Sequence, residues 1–274
     1  MKTMVVSGGT SGIGEALAHT YLKRGDRVAV IGPNPDKGKS FLAAAAGLGA
    51  EERASFIRAD LSLVSENERV VKEIEERFPV VDALVLCARF FRSYRRVTSE
   101  GFEHNFALYY LSRFLLGYGL VGLLEKAPSP VIMNVAGPGV DAGGIHWNDL
   151  GFEHGYDGWA AMFQGGKLND LLGASFAAEH RGYRTRYVLN FPGGTATGFA
   201  GEFDPATAAR IQEMLRYANP VEVGIAPIVA AIDAPPAEPL SAFFEGRRLS
   251  TQLPSFDQQE ALRLDALTRE VLAR

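Results

Sequence analysis

Met4-Val5-Val6-Ser7-Gly8-Gly9-Thr10-Ser11-Gly12-Ile13-Gly14 passes from an apolar run through a glycine turn into a helix start. Glycine is needed where a chain reverses tightly and a charged ligand must come against its backbone, because no Cβ then intervenes. Gly8, Gly12 and Gly14 leave that space, and a helix beginning near Ile13 aims free amide N–H groups into it, which suits a pyrophosphate. A strand precedes the turn, a helix follows, and a second apolar run comes at 27–31, so the cluster reads as a dinucleotide cradle. Ser7, Gly8, Thr10, Ser11, Gly12, Ile13 and Gly14 are its candidate contacts; a βαβ unit that binds nothing is the alternative.

Strand-like runs at 4–6, 27–31, 54–59, 83–87, 131–135, 186–190 and 242–244 alternate with helical patterns at 13–24, 66–78, 102–124 and 160–179. This alternation predicts a parallel sheet with helices on both faces. With right-handed crossovers and the glycine turn it becomes a doubly wound, Rossmann-type α/β fold. The sequence has no internal repeat and no long linker, so one domain is expected over 1–274. Ser255 with Gln258 predicts a capping box opening a last helix that runs to about Ala273. The apolar run 106–124 approaches the length of a membrane span. Arg113 stands at its middle, however, and Asn105, Tyr109 and Arg113 recur along one helical face. A buried helix is the reading, a membrane span the alternative.

Other function classes are excluded by composition. A net charge of -4 leaves no electrostatic footprint for nucleic acid. The single cysteine, Cys87, rules out an intrachain disulfide and fits a reducing cytoplasm. Met1-Lys2-Thr3 runs directly into the first strand, leaving no room for a signal peptide. No metal is expected. Gly32-Pro33-Asn34, at the end of the second strand, offers no carboxylate for a ribose 2′-hydroxyl, and Lys37 and Lys39 follow. The site therefore leans towards NADP(H) over NAD(H), although both lysines also suit a solvated helix face.

The glycine pattern, with Asp60-Leu61 after the third strand and Lys167 after the fifth, resembles the short-chain dehydrogenase/reductase family over nearly the whole chain. Gly101-Phe102-Glu103, Tyr110-Leu111-Ser112-Arg113-Phe114-Leu115-Leu116, Gly144-Ile145-His146-Trp147-Asn148-Asp149-Leu150, Lys167-Leu168-Asn169 and Pro254-Ser255-Phe256-Asp257 are similar to its retinol-dehydrogenase-like branch. The resemblance implies that Asp60 holds the adenine amino group, with Asn34, Leu61, Cys87 and Ala88 as further cofactor contacts. It also implies that Pro192-Gly193, Thr195 and Thr197 seat the nicotinamide and its phosphate, and that Lys167 binds the nicotinamide ribose. A helix cap for Asp60 and a loop hydroxyl for Thr197 are the plainer alternatives.

The departures are concentrated at the chemistry. The family's Asn-Asn-Ala-Gly is here Leu86-Cys87-Ala88-Arg89, its active-site Asn corresponds to Tyr109, its catalytic Ser to Gly137, and its catalytic Tyr to Phe163. Only Lys167 of the usual four remains. Phe163 cannot donate a proton and Gly137 has no side chain, and losing a general acid removes on the order of 10²–10⁴ in rate. An oxyanion donor is worth on the order of 10²–10³, and the two need not add, since groups acting as one unit are not independent.

Three functions stay open: reduction by another route, of a quinone, enone or similar hydrophobic natural product; non-redox cyclisation, isomerisation or dehydration; and NADP(H) sensing without turnover. For the first, Tyr109 is the leading substitute donor, then Tyr156, His146 and His154; packing and loop roles are the alternatives. Arg89 and Arg113 could bind an anionic substrate. Residues 198–218, with Phe199, Phe203, Ile211, Met214 and Leu215, fall where the family places a substrate lid, and 240–274 would supply the last strand and helix. A hydrophobic small molecule is the expected partner. The 106–124 and 160–179 helices are candidate homodimer or homotetramer surfaces.

Overall fold

Short apolar, β-branched stretches build the sheet: β1 (Thr3–Ser7), β2 (Arg27–Gly32), β3 (Ala54–Arg58), β4 (Ala83–Leu86), β6 (Val131–Val135), β7 (Arg186–Phe191), β9 (Leu240–Phe244) and β10 (Arg247–Leu249). Their order is β10-β9-β7-β6-β4-β1-β2-β3, parallel throughout except for the antiparallel edge strand β10. A separate parallel pair joins β5 (Phe91–Arg92) to β8 (Gly201–Glu202). The computed structural model describes residues 1–140 and 143–273; part of the glycine-rich loop after β6, and Arg274, lie outside them.

Alternate side chains of each strand enter opposite cores. Met4, Val6, Val28 and Val85 pack with Leu17 of α1 (Gly12–Lys23), Phe41 of α2 (Pro35–Gly47) and Ile228 of α9 (Val221–Asp233). On the other face Val5, Ile31, Leu84 and Ile132 meet Val70 of α3 (Val64–Arg77), Phe114 of α5 (Ser112–Gly119) and Leu171 of α7 (Gly158–Glu179). Leu264 of α10 (Gln258–Leu272) joins this second core. Burial on both faces is why these strands read as continuous apolar runs. The expected doubly wound parallel sheet is what the chain forms.

Several local expectations are corrected. The stretch read as one helix over 102–124 is divided into α4 (His104–Phe106), a π turn over Ala107–Leu111, α5, and α6 (Val121–Leu124). Gly119, whose added Cβ would lie 2.8 Å from Val71 Cγ2, marks the close approach of α3 where α5 stops. Among the described residues no helix is long and apolar enough to cross a membrane. The Ser255 capping box does not form: Ser255 lies in a 3-10 turn, and Asp257 caps α10 by accepting from the Gln259 and Glu260 amides. α9 was hidden by Gly224 and Pro227. The hydrogen bond that Pro227 cannot donate would have reached Val223, 56% exposed, where water can substitute.

Two surface features bear on the candidate lid and the candidate homo-oligomer surfaces. Of the apolar residues on α8 (Pro205–Leu215), Ile211 is buried but Met214 is 49% exposed. In the loop before α8, Phe199 and Phe203 pack against Phe91. The faces of α5 and α7 read as open for a second copy are partly covered by α10. Tyr110 and Thr268 share a 2.6 Å hydroxyl contact, Arg269 pairs with Glu179 at 2.8 Å, and its guanidinium lies over Phe114 and Tyr118. Leu264→Ala should therefore cost about 2–5 kcal/mol, read as a lower urea midpoint; an unchanged midpoint would mean α10 adds little to this core.

Candidate nucleotide and substrate site

The parallel register brings Ser7, Leu86, Asn134 and Leu189 into line, so the loops after β1, β4, β6 and β7 leave from one sheet edge. The chain reverses between β1 and β4, the position where open α/β sheets bind ligands. Gly8 and Gly12 hold left-handed conformations with φ of 68° and 58°. A Cβ on Gly8 would lie 2.8 Å from the Ala88 backbone, and one on Gly12 would lie 3.1 Å from Thr197 Cγ2. A Cβ on Gly14 would collide with the Gly8 carbonyl oxygen. The turn is thus wedged between the end of β4 and Thr197, with space only for backbone. Ser11 is the N-cap of α1 but its side chain accepts none of the leading amides; Thr10, by contrast, packs inward against Gly32.

The other candidate cofactor residues divide. Gly193, with φ of 87°, turns the chain after Pro192, and the Thr195 hydroxyl donates to its carbonyl at 3.1 Å. Close packing of Gly224 against Thr195 braces this turn. Cys87 and Ala88 directly follow β4, and burial pushes the Cys87 thiol up to about 12, which leaves it protonated and a poor nucleophile. At the adenosine end Asn34 caps α2, accepting from Asp36 and Lys37 amides at 2.9 and 3.0 Å. Asp60 accepts from the Ser62 amide and hydroxyl in a local turn, beside the buried Leu61. It does not cap α3, whose N-cap is Leu63. Lys37 and Lys39 are exposed, Lys39 pairing with Asp36 at 3.5 Å.

Phe163 and Lys167 stand one helical turn apart on α7. Tyr109, aimed by the π turn, packs against Gly165, where a Cβ would lie 2.5 Å from Tyr109 Cδ1. Its backbone is fixed by a buried amide chain that sequence reading missed. Asn169 Nδ2 donates to the Tyr109 and Gly165 carbonyls, and Asn169 Oδ1 accepts from Asn134, which also donates to the Tyr187 hydroxyl. Asn134 in turn accepts from Arg113, whose guanidinium lies 4.5 Å from the centroid of the Tyr109 ring. Arg113 also donates to the Val135 and Ala88 carbonyls at 3.1 and 3.3 Å, tying the ends of β6 and β4 together.

Aromatic side chains line the adjoining side. Phe91 lies 4.8 Å from Trp159, 6.0 Å from Phe199 and 5.9 Å from Phe203, centroid to centroid, while Trp159 neighbours Phe163 at 6.4 Å. Phe199, a non-glycine residue with φ of 36°, is held in the unfavourable left-handed region. The Arg89 guanidinium lies 4.4 Å from its ring centroid, and Arg89 Nη1 meets Met162 Sδ at 3.0 Å. The pairing of β5 with β8 and the Arg92–Glu202 ion pair at 3.1 Å hold this loop against the sheet edge.

The other candidates have neighbours of their own. The Tyr156 hydroxyl donates to Glu103 at 3.3 Å, and burial together with that carboxylate raises its pKa, so it anchors a loop. His146 is exposed with its ring against Phe152 at 4.7 Å. His154 is exposed and pairs with Asp149 at 3.5 Å. A carboxyl missed in the sequence, Asp170, lies one turn beyond Lys167 and is fully buried. Burial pushes it up to about 8, opposed by the Gly139 amide at 2.8 Å and by the charge of Lys167. Its Oδ1 and the Ser255 hydroxyl complete no hydrogen bond, although the hydroxyl lies close enough to ease the charge.

A profile of the short chain dehydrogenase family matches residues 2–148. Retinol dehydrogenase 13 of Mus musculus is 34% identical over 168 residues, covering 60% of this chain and 49% of that protein. Dehydrogenase/reductase SDR family member 12 of Homo sapiens is 26% identical over 256 residues, covering 92% and 79%. The chain spans less than two thirds of the length of most curated relatives it matches. A short chain dehydrogenase from Burkholderia cenocepacia J2315, solved in complex with NADP, superposes with a TM-score of 0.69 at 17% identity, covering 89% and 96%.

Two outcomes follow from this geometry. Gly12→Ala forces a side chain into the left-handed region at a cost of about 1–2 kcal/mol and crowds Thr197; nucleotide affinity measured by fluorescence titration should fall with it. Asp170 binds a proton in the folded chain, but not the unfolded one, between its ordinary 3.8 and about 8. Over that window the folded state holds the extra proton, so stability falls as pH rises. Urea denaturation should show Asp170→Asn losing less stability than the parent chain between pH 4 and pH 8; parallel losses would contradict the burial argument.

Proposed function

Given that the chain belongs to the short chain dehydrogenase family, on its retinol-dehydrogenase-like branch, we propose that it is an oxidoreductase. Its reaction is the reduction of a carbonyl or conjugated system of a hydrophobic small molecule, with NADP(H) preferred over NAD(H) and without the usual Ser/Tyr acid pair. The observation that carries this reading is the intact cradle: Gly8 and Gly12 are left-handed and abut Ala88 and Thr197, where any side chain would fill the space.

A dinucleotide fits those residues. Ser7 to Gly14, Thr195 and Thr197 would hold its phosphates, and Asn34, Asp60 and Leu61 its adenosine. Lys167, Cys87, Ala88, Pro192 and Gly193 would hold the nicotinamide end, with Lys167 on the ribose hydroxyls. When bound, the reduced nicotinamide supplies a hydride.

The chain must supply what that hydride leaves behind: a proton, and stabilisation of a growing negative charge. Phe163 gives neither. Tyr109 carries a phenolic proton on a backbone fixed by Asn169, and its hydroxyl has no hydrogen-bond partner among the described residues. Arg89 and Arg113 both lie close enough for their charges to act at Tyr109. Those two positive charges would favour negative charge growing on a substrate oxygen held next to them. Phe199 and Phe203, packed with Phe91 and Trp159, give the adjoining side an aromatic wall that suits a bulky apolar substrate.

The test is loss of reduced-nicotinamide absorbance with a panel of polycyclic quinones and ketones. Tyr109→Phe should lower kcat by about 10²–10⁴ where proton transfer limits the rate. Lys167→Ala should abolish turnover and weaken nucleotide binding, whereas Phe163→Tyr should bring no gain. Unchanged single-turnover rates in Tyr109→Phe would remove Tyr109 from the mechanism. Substrate conversion without NADPH consumption would replace the redox reading with a non-redox one.

A further inference from the structure

Arg89 is a cation without a carboxylate among the described residues. It stands where the resembling family carries glycine, so nothing in the fold requires a long cation there. Taking a guanidinium out of water is costly unless it is paired with an anion and hydrogen-bonded. Among the described residues Arg89 has no carboxylate partner. Its surroundings are the Met162 thioether, a weak acceptor, and the face of Phe199.

Arg89 is half-buried, and Arg113, a second guanidinium near it, is fully buried. Its hydrogen bonds go to Asn134, Val135 and Ala88, all neutral acceptors, and its Nε has no partner. Burial lowers the pKa of both guanidiniums, and for Arg89 the like charge of Arg113 adds to it. The two differ in what they can still do. Arg113 uses both terminal nitrogens to tie β4 to β6 and its remaining Nε is buried, so it contributes a field. Arg89 keeps guanidinium nitrogens without partners among the described residues, on the same side as Phe91, Trp159, Phe163 and Phe199. In a chain of net charge -4, a positive, aromatic-walled site is a local exception.

We propose that Arg89 binds the carboxylate of an aromatic acid, whose ring lies against Phe199, Trp159 and Phe163. A planar guanidinium presents paired donors that match a carboxylate in two parallel hydrogen bonds. The aromatic walls take the flat apolar body, and the fixed charge of Arg113 strengthens the preference for an anion. The proposal rests on the oxidoreductase reading for what happens next, since it makes the acid the substrate of that same site.

Binding can be measured without turnover. Anthracene-2-carboxylate and its neutral isostere anthracene-2-carboxamide are titrated by their own fluorescence into the full chain, with and without saturating NADP⁺. A hydrogen-bonded charge pair contributes about 1.5–3 kcal/mol, which is roughly 10- to 100-fold in affinity. The acid should therefore bind at least ~10-fold more tightly than the amide. Arg89→Gln should erase that preference by weakening the acid and sparing the amide, and Arg89→Lys should recover part of it. Retention with NADP⁺ present excludes the phosphate cradle as the acid's site. Equal binding of acid and amide to the unaltered chain overturns the proposal whether or not any variant folds. A preference that survives Arg89→Gln also overturns it. NADPH oxidation is followed separately: Arg89-dependent acid binding with no oxidation of NADPH by any substrate would leave this site standing and remove the reductase reading.

Discussion

Space for backbone alone, at the turn between β1 and α1, is the constraint on which the rest of the site depends. Gly8 abuts Ala88, Gly12 abuts Thr197, and Gly14 abuts the Gly8 carbonyl. Gly8 couples the first turn to the end of β4 and Gly12 couples it to the turn after β7, while Gly14 lets α1 close on the turn itself. Because these loops leave neighbouring parallel strands in fixed register, side chains separated by more than a hundred positions meet there. The uncapped start of α1 then points at the same place.

A second constraint works beneath it. Arg113, Asn134, Asn169 and the Tyr109 carbonyl form a buried polar chain linking α5, β6, α7 and the π turn. Buried polar groups are costly unless satisfied, so a chain of this kind specifies one arrangement of its elements. Its product is the placement of Tyr109 against Gly165. The same chain leaves a guanidinium without a counter-charge, which makes the neighbourhood positive. Structural rigidity and electrostatic character therefore have one origin here.

Much of the fold was legible because its causes are local. Strands buried on both faces leave continuous apolar runs, and the glycine turn announces itself by spacing. What was hidden depends on tertiary contact. α9 carries Gly224, small because Thr195 presses on it, and Pro227, tolerated because the residue four before it, Val223, is exposed to water. The π turn at Ala107–Leu111 has no sequence marker, yet it decides where Tyr109 points. Ser255 satisfied the capping-box spacing, but Asp257 took the cap two residues later. The aromatic wall gathers Phe91, Trp159, Phe163, Phe199 and Phe203 from three distant stretches, and no periodicity in one stretch could have assembled it.

The central claim is that a working dinucleotide cradle has been kept while the usual acid pair has not. Its most direct test is a titration of the purified chain with NADPH and NADH, followed by nicotinamide fluorescence and by quenching of the two tryptophans. The account predicts saturable binding of both, tighter for NADPH, and weakened by Lys167→Ala. No saturable binding of either nucleotide would contradict it, leaving the doubly wound sheet without the function proposed for its glycine turn.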